Sequence, residues 1–313
     1  MSESRIYNLI ADKGDAAVHS TFKLEVFSAD NLPSQIDLRS KMPPVVNQGN
    51  LGSCTSCATV AAFQYCDPTW FGSKLFVYYN TRMLDGTISR DAGSTLSQAV
   101  NAISKYGVCS ELKWPYLVDK YAIQPSQDCY SQAADHQALQ FSRVSQTEAQ
   151  MKGCLVSGYP FVFGFWVYSS FESINTSGMM SMPEPSEVLL GGHAVICVGY
   201  DDSRSCWICQ NSWGTSWGDR GYFYMPYAYL DNQRLATDLW KIEKVETTTV
   251  NNQSNNVVYV TPSVVEPANI KRRSKFSQRY RLVPKLKRDI QPSDKLLSDE
   301  QVRRELLVKL SIV

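Results

Sequence analysis

The sequence predicts an α+β protein, with its helices gathered early in the folded body and its strands late. Residues 54–65 and LSQAVNAISKYG at 96–107 read as helices from their apolar spacing. PFVFGFWVY at 160–168, HAVICVGYD at 193–201 and CWICQNSW at 206–213 are short apolar runs, rich in β-branched and aromatic residues, that read as strands. At 313 residues, 43% of them hydrophobic and 19% charged, the chain can bury one large core or two small ones.

Three zones follow from composition. Residues 1–31 form a polar extension, too short to fold alone, with one alternating run, TFKLEVF at 21–27. Residues 32–245 are the dense folded body. Residues 246–313 form a basic tail carrying 13 Lys and Arg against 7 Asp and Glu, so the net charge of +1 leaves 1 − 6 = −5 for residues 1–245. Within the tail, residues 271–288 hold nine Lys and Arg and no acid, and SDEQVRRELLVKL at 298–310 reads as a short capped helix with Ser298 as N-cap. The basic run is a solvated segment or a contact for a polyanion.

The N-terminus has no basic start followed by an apolar run, and no stretch of 18 apolar residues occurs, so neither a secretory signal nor a membrane span is expected. Nine cysteines, an odd number, then point to a reducing compartment such as the cytoplasm, with most thiols buried as small hydrophobes. No internal repeat and no glycine-rich phosphate loop is visible, which excludes the common nucleotide-binding signatures.

Two CxxC pairs, Cys54/Cys57 and Cys206/Cys209, raise a zinc reading that spacing argues against. Zinc ribbons separate their pairs by roughly 15–20 residues, whereas 148 residues intervene here, and CWICQ reads as a strand whose residues three apart point to opposite faces. A thioredoxin-like role lacks its βαβ context. No metal or cofactor is expected.

A nucleophilic cysteine needs a thiolate, favoured by a helix N-terminus and a neighbouring imidazolium, and a histidine oriented by a third group. The chain has three histidines. His19 and His136 lie in polar stretches and are most simply solvated. His193 opens an apolar strand after two glycines, and Asn211 follows 18 residues later in QNSWGTSWG. Cys54, at the expected start of its helix, meets unsatisfied N–H groups and the positive dipole end, and Cys57 sits a turn further in. The local pattern C-G-[SA]-C-[WY] would instead favour Cys57.

From Leu32 to about Tyr229 the chain resembles the papain-like cysteine peptidases. The resemblance rests, in order, on LPSQIDLRS, NQGNLGSC, YGVCSELKWPY, GGHAVICVGYDD and CQNSWGTSWGDRGYFYM. It implies a papain-like fold of two subdomains, a helical left half and a β-barrel-like right half, with the active-site cleft between them. It also implies a Cys54, His193 and Asn211 triad, with Gln48 sharing the oxyanion hole and Trp213 shielding the His–Asn pair. The family's oxyanion glutamine precedes the nucleophile by six residues, which selects Cys54 over Cys57. The interval from Cys54 to His193 is 139 residues, inside the roughly 130–150 of such enzymes. Leu51 stands where many secreted members have a disulfide cysteine and Thr55 where they usually have tryptophan, so the chain resembles the bacterial, protist and viral GSCT branch.

The implied reaction is endopeptidase cleavage through a thioacyl-enzyme, since a carboxydipeptidase needs a loop with paired histidines. A substrate would pair near Gly93 and Ser94, with Ala194 bordering a pocket and Trp217 flooring the leaving-group side. The expected partners are peptide or protein substrates. An inactive peptide-binding scaffold is the rival reading. Residues 1–31 are either a loose or surface-packed leader or a segment that contacts the cleft, with TFKLEVF lying across the groove and Phe22 or Leu24 entering a pocket.

Overall fold

Small side chains decide the first helix, α1 (Cys54–Cys66), whose sequence CTSCATVAAFQYC is buried on nearly every side. A helix apolar or compact all round belongs inside a domain rather than on its surface. The computed structural model of the protein describes residues 5–12, 21–22, 32–248 and 257–260, which fall within one compact unit, Met1–Pro267.

The chain enters with β1 (Thr21–Phe22) and β2 (Gln35–Asp37), followed by α1. Helices α2 (Lys74–Leu84) and α3 (Leu96–Lys105) are each capped by a hydroxyl. Ser73 accepts the Phe76 N–H at 3.0 Å and Thr95 accepts the Gln98 N–H at 3.1 Å, satisfying donors that a helix start leaves open. In α3 the buried positions Leu96, Ala99, Val100 and Ile103 recur at helical spacing, so one stripe faces the core. After α4 (Gln127–Ala133) come β3 (Ala138–Val144), α5 (Glu148–Val156), β4 (Phe161–Tyr168) and the single turn α6 (Ser169–Glu172). The remainder is β5 (Leu189–Asp201), β6 (Cys206–Gln210), β7 (Tyr222–Pro226), α7 (Tyr227–Leu230), β8 (Ala236–Thr248) and β9 (Val257–Val260).

The described strands form one sheet in the order β1-β3-β8-β4-β5-β6-β7, with β2 joined to β5 and β9 to β8. Every pairing is antiparallel except β1 with β3. This is the expected α+β architecture, helices first and an antiparallel sheet later. Strands β4, β5 and β6 are buried along both faces, so they read as continuous apolar runs. Among the described residues no helix is long and apolar enough to cross a membrane.

All nine cysteines are buried and unpaired, and no cluster of three His, Cys, Asp or Glu among the described residues could hold a metal. The polar stretch around His136 suggests a solvated ring. The ring is instead buried, stacked on Trp70 with centroids 3.3 Å apart, because the turn closing α4, in which the His136 backbone N–H donates to the Ala133 carbonyl, carries it inward. Burial pulls its imidazole down to about 4. The basic run 271–288 and the expected helix at 298–310 lie outside the described residues, as do His19 and residues 23–27 of TFKLEVF.

Arg82, on α2, is fully buried, and its guanidinium donates to the carbonyls of Ile88, Arg90 and Tyr121. Those bonds pin the loop that leads to Gly93 and Ser94. Arg82→Met should leave the Ile88 and Tyr121 carbonyls without their donor, while the Arg90 carbonyl keeps the Ala92 N–H at 2.9 Å, and should destabilise the fold by roughly 3 kcal/mol, read as a lower midpoint in urea at unchanged slope.

Candidate active site

Strand register places the His193 side. In the β4–β5 ladder Phe165 lies opposite His193 and Gly164 opposite Ala194, and in the β5–β6 ladder Ile196 lies opposite Gln210. Following that ladder beyond the end of β6 sets Asn211 and Trp213 beside His193. Asn211 Oδ1 is 2.8 Å from His193 Nε2, and the Trp213 ring stacks on the imidazole with centroids 4.8 Å apart and planes at 29°. The Ser212 N–H also donates to Asn211 Oδ1, at 2.8 Å. An amide oxygen only accepts, so this contact puts the ring proton on Nε2 and leaves Nδ1 as a bare acceptor. Nδ1 is buried without a protein partner.

The opposite wall is the start of α1. Cys54 is its first residue, after Ser53, and is fully buried. The Ala194 backbone N–H, one residue beyond His193, pulls its thiol down against the effect of burial. Cys57 points elsewhere: its thiol lies 3.7 Å from the Ser53 hydroxyl, and burial pushes it up to about 12.

Gln48 is held from two sides. Its Nε2 donates to the Leu51 carbonyl at 2.9 Å and its Oε1 accepts the Ser212 hydroxyl at 2.5 Å. Its backbone N–H donates to the Ser212 carbonyl at 2.8 Å, and the Gly214 N–H to the Val46 carbonyl at 3.0 Å. Trp217 stands 5.0 Å from Trp213, and Phe171 is 5.3 Å from each.

Residues 5–12 run through the space between these walls. The Leu9 N–H donates to the Gly192 carbonyl and the Ile10 N–H to the Ser94 carbonyl, both at 3.0 Å. The Leu9 side chain is buried against Gly164 and Gly192. Gly93 adopts φ +68°, and a Cβ there would collide with the Asn8 carbonyl. Arg5 sits 4.1 Å above the Trp213 ring, and Tyr7 meets Trp213 and His193 edge-on. Asp12 is clamped by Ser97 and by Arg143 at 2.9 Å, and its N–H donates to Asp238.

The extension therefore occupies the cleft with RIYNLIAD, whereas the described part of TFKLEVF, Thr21 and Phe22, pairs in the sheet. Phe22 pairs opposite Val144 in the sheet, and Leu24 lies outside the described residues. Asn8 and Leu9 carry no periodic signal, and Ser212 looks like an ordinary loop serine, so nothing in the sequence marked them. The one readable trace of the segment's path is the glycines: at 93 and 192 its backbone carbonyls come close, and at 164 the Leu9 side chain does.

The enclosure changes the electrostatics. Burial pushes the Cys54 thiol up to about 11, opposed only by the N–H groups of Ala194, Thr55 and Cys54 itself. Burial also holds the His193 imidazole down to about 4, with the Asn211 bond opposing and the Arg5 charge adding. A raised thiol stays protonated below its value and a depressed imidazole stays neutral above its own, so between about pH 4 and 11 both are neutral. Burial thus works against the thiolate–imidazolium pair expected from sequence, disfavouring the charged form of each group.

Residues 32–239 match the papain family cysteine protease domain. The chain belongs to the papain family. It is 37% identical over 227 residues to an uncharacterized peptidase C1-like protein of Acanthamoeba polyphaga mimivirus, covering 67% of this chain and 73% of that one. It is 30% identical over 214 residues to a cathepsin B-like protein of Giardia intestinalis, covering 63% and 69%. In three dimensions it is similar to xylellain, a cysteine protease from Xylella fastidiosa, with TM-score 0.71, 36% identity and coverage of 75% of this chain and 95% of that one. This papain-family member is a cysteine-type peptidase.

The covered state should make Cys54 slow toward a haloacetamide from pH 6 to 8, slower than a free thiol whose pKa is about 8.5. Leu9→Asp, which should expel the segment, is expected to raise the rate by at least about tenfold, located at Cys54 by peptide mass. An equal rate in both proteins would mean that residues 5–12 do not control the thiol.

Proposed function

We propose that the protein is an endopeptidase in which Cys54, His193 and Asn211 act as the triad and Gln48 with the Cys54 N–H as the oxyanion hole, and that residues 5–12 hold it latent. The carrying observation is the 2.8 Å contact between Asn211 Oδ1 and His193 Nε2, which leaves Nδ1 as the nitrogen free to exchange a proton with Cys54.

In the opened cleft, Nδ1 takes the thiol proton and the sulfur attacks the peptide carbonyl carbon. The carbonyl electrons move onto oxygen, where Gln48 Nε2 and the Cys54 N–H donate to the oxyanion. Collapse breaks the C–N bond as His193 returns the proton to the leaving amine, giving a thioester. Water then attacks the thioester carbonyl while Nδ1 takes its proton; the carboxylic acid leaves, and Cys54 recovers the proton. Asn211 fixes the ring through both halves and Trp213 keeps water off that bond. On this reading Gly93, Ser94 and Ala194 line the acyl side of the cleft, and Trp213 and Trp217 the leaving side.

The segment competes with substrate for the same groups. It uses the Gly192 and Ser94 carbonyls and sinks Leu9 into the apolar wall. Burial of one leucine is worth roughly 2 kcal/mol, and the Asp12 clamp adds to it.

Cys54→Ala should abolish cleavage of an internally quenched peptide and labelling by an epoxide thiol inhibitor, and Cys57→Ala should leave both largely intact. The reverse pattern would place the nucleophile at Cys57. Leu9→Asp and Asp12→Ala should each raise kcat/KM, the first by about tenfold or more. Folded variants no faster than the parent would show that the segment does not inhibit.

A further inference from the structure

The leaving side of the cleft carries a carboxylate that the triad does not use. Glu172 ends α6, one residue after Phe171, whose ring packs on both Trp213 and Trp217. The Tyr7 hydroxyl donates to Glu172 Oε1 at 2.6 Å, while the Tyr7 ring meets His193 and Trp213 edge-on. Arg5 lies over the same Trp213 face. A second carboxylate, Glu187, stands on the same lip, accepting the N–H groups of Ser170 and Glu184. Two of the chain's own side chains, a phenol and a guanidinium, thus sit where the amine half of a substrate would leave, beside acid and indole.

We infer that Glu172 is a specificity-determining residue, selecting peptides that carry tyrosine, lysine or arginine on the leaving side of the cleaved bond over those carrying an acid there. The inference rests on the peptidase reading above. Its physical basis is direct. A phenol or ammonium reaching the Trp213 end finds an acceptor in Glu172 and an electron-rich ring face, which attracts cations. A carboxylate reaching the same place meets Glu172 and Glu187, and like charges repel. Glu172 is exposed, so the preference is moderate and weakens with salt. Tyr7 then holds the segment in place by imitating a favoured substrate.

The test uses the full chain and quenched peptides identical except for Lys, Tyr, Phe or Glu at the first or, separately, the second position after the cut. A fluorogenic amide with no residue beyond the cut serves as reference. Because Glu172 also anchors Tyr7, its removal should open the cleft and raise every kcat/KM by one common factor. Ratios between substrates cancel that factor. The parent should prefer Lys over Glu by about fivefold and Tyr over Phe more weakly, at one of the two positions. Glu172→Gln should bring the Lys-to-Glu ratio near one, and Glu172→Lys should invert it. Parallel increases on all substrates with unchanged ratios would make Glu172 an anchor for the segment alone and overturn the inference. If parent and Leu9→Asp protein alike turn over no peptide and no fluorogenic amide, the peptidase reading fails, and this one with it.

Discussion

Three residues before the first helix and three after β6 hold the two sides of the cleft in register. Val46–Gln48 and Ser212–Gly214 form a short antiparallel pair, with Gln48 and Gly214 donating across it and Asn47 facing Trp213. Ser212 contributes three times, through its carbonyl and hydroxyl to Gln48 and its N–H to Asn211. A displacement of either strand would therefore move the Gln48 amide and the Asn211–His193 contact together. Backbone hydrogen bonds suit this task because neither partner has rotamer freedom to lose, and positioning to fractions of an ångström is what such a site requires.

Enclosure has opposite effects on binding and on reactivity. The same lid that brings Leu9 into apolar surroundings takes water away from Cys54 and His193, and removing water disfavours the charged form of each. A site that performs acyl transfer needs an available thiolate when the substrate arrives. With the segment in place, burial shifts the pair toward thiol and imidazole, so the covering that blocks access also lowers reactivity.

Much of this was legible because the relevant residues obey local rules. Cys54 falls at a helix start as read, whereas His193 is the fifth residue of β5 rather than its first and Asn211 falls one residue past β6 rather than inside the expected strand, so periodicity finds the elements without fixing their bounds. Gln48 needed the resemblance, since its role depends on a six-residue offset and not on any local pattern. The segment 5–12 was not legible. RIYNLIAD pairs through isolated bridges to Gly192 and Ser94 rather than as a ladder, and such pairing imposes no alternation on the sequence. TFKLEVF does alternate, and its first two residues pair within the sheet instead. His136 misled for a related reason: its neighbours are polar, but the turn after α4, not composition, decides where its ring points.

Residues 5–12 are joined to the body they cover by fewer than thirty residues of chain, and that connection sets how the proposed latency would scale. A tethered ligand samples its site at an effective concentration fixed by the tether, commonly in the millimolar range. Dilution does not change it. Occlusion of this cleft should thus be the same at one molecule per compartment as in a concentrated solution, and it ends permanently once the connecting chain is cut and the freed piece diffuses away. A weak contact suffices while the chain is whole, and the same weakness makes release irreversible in practice.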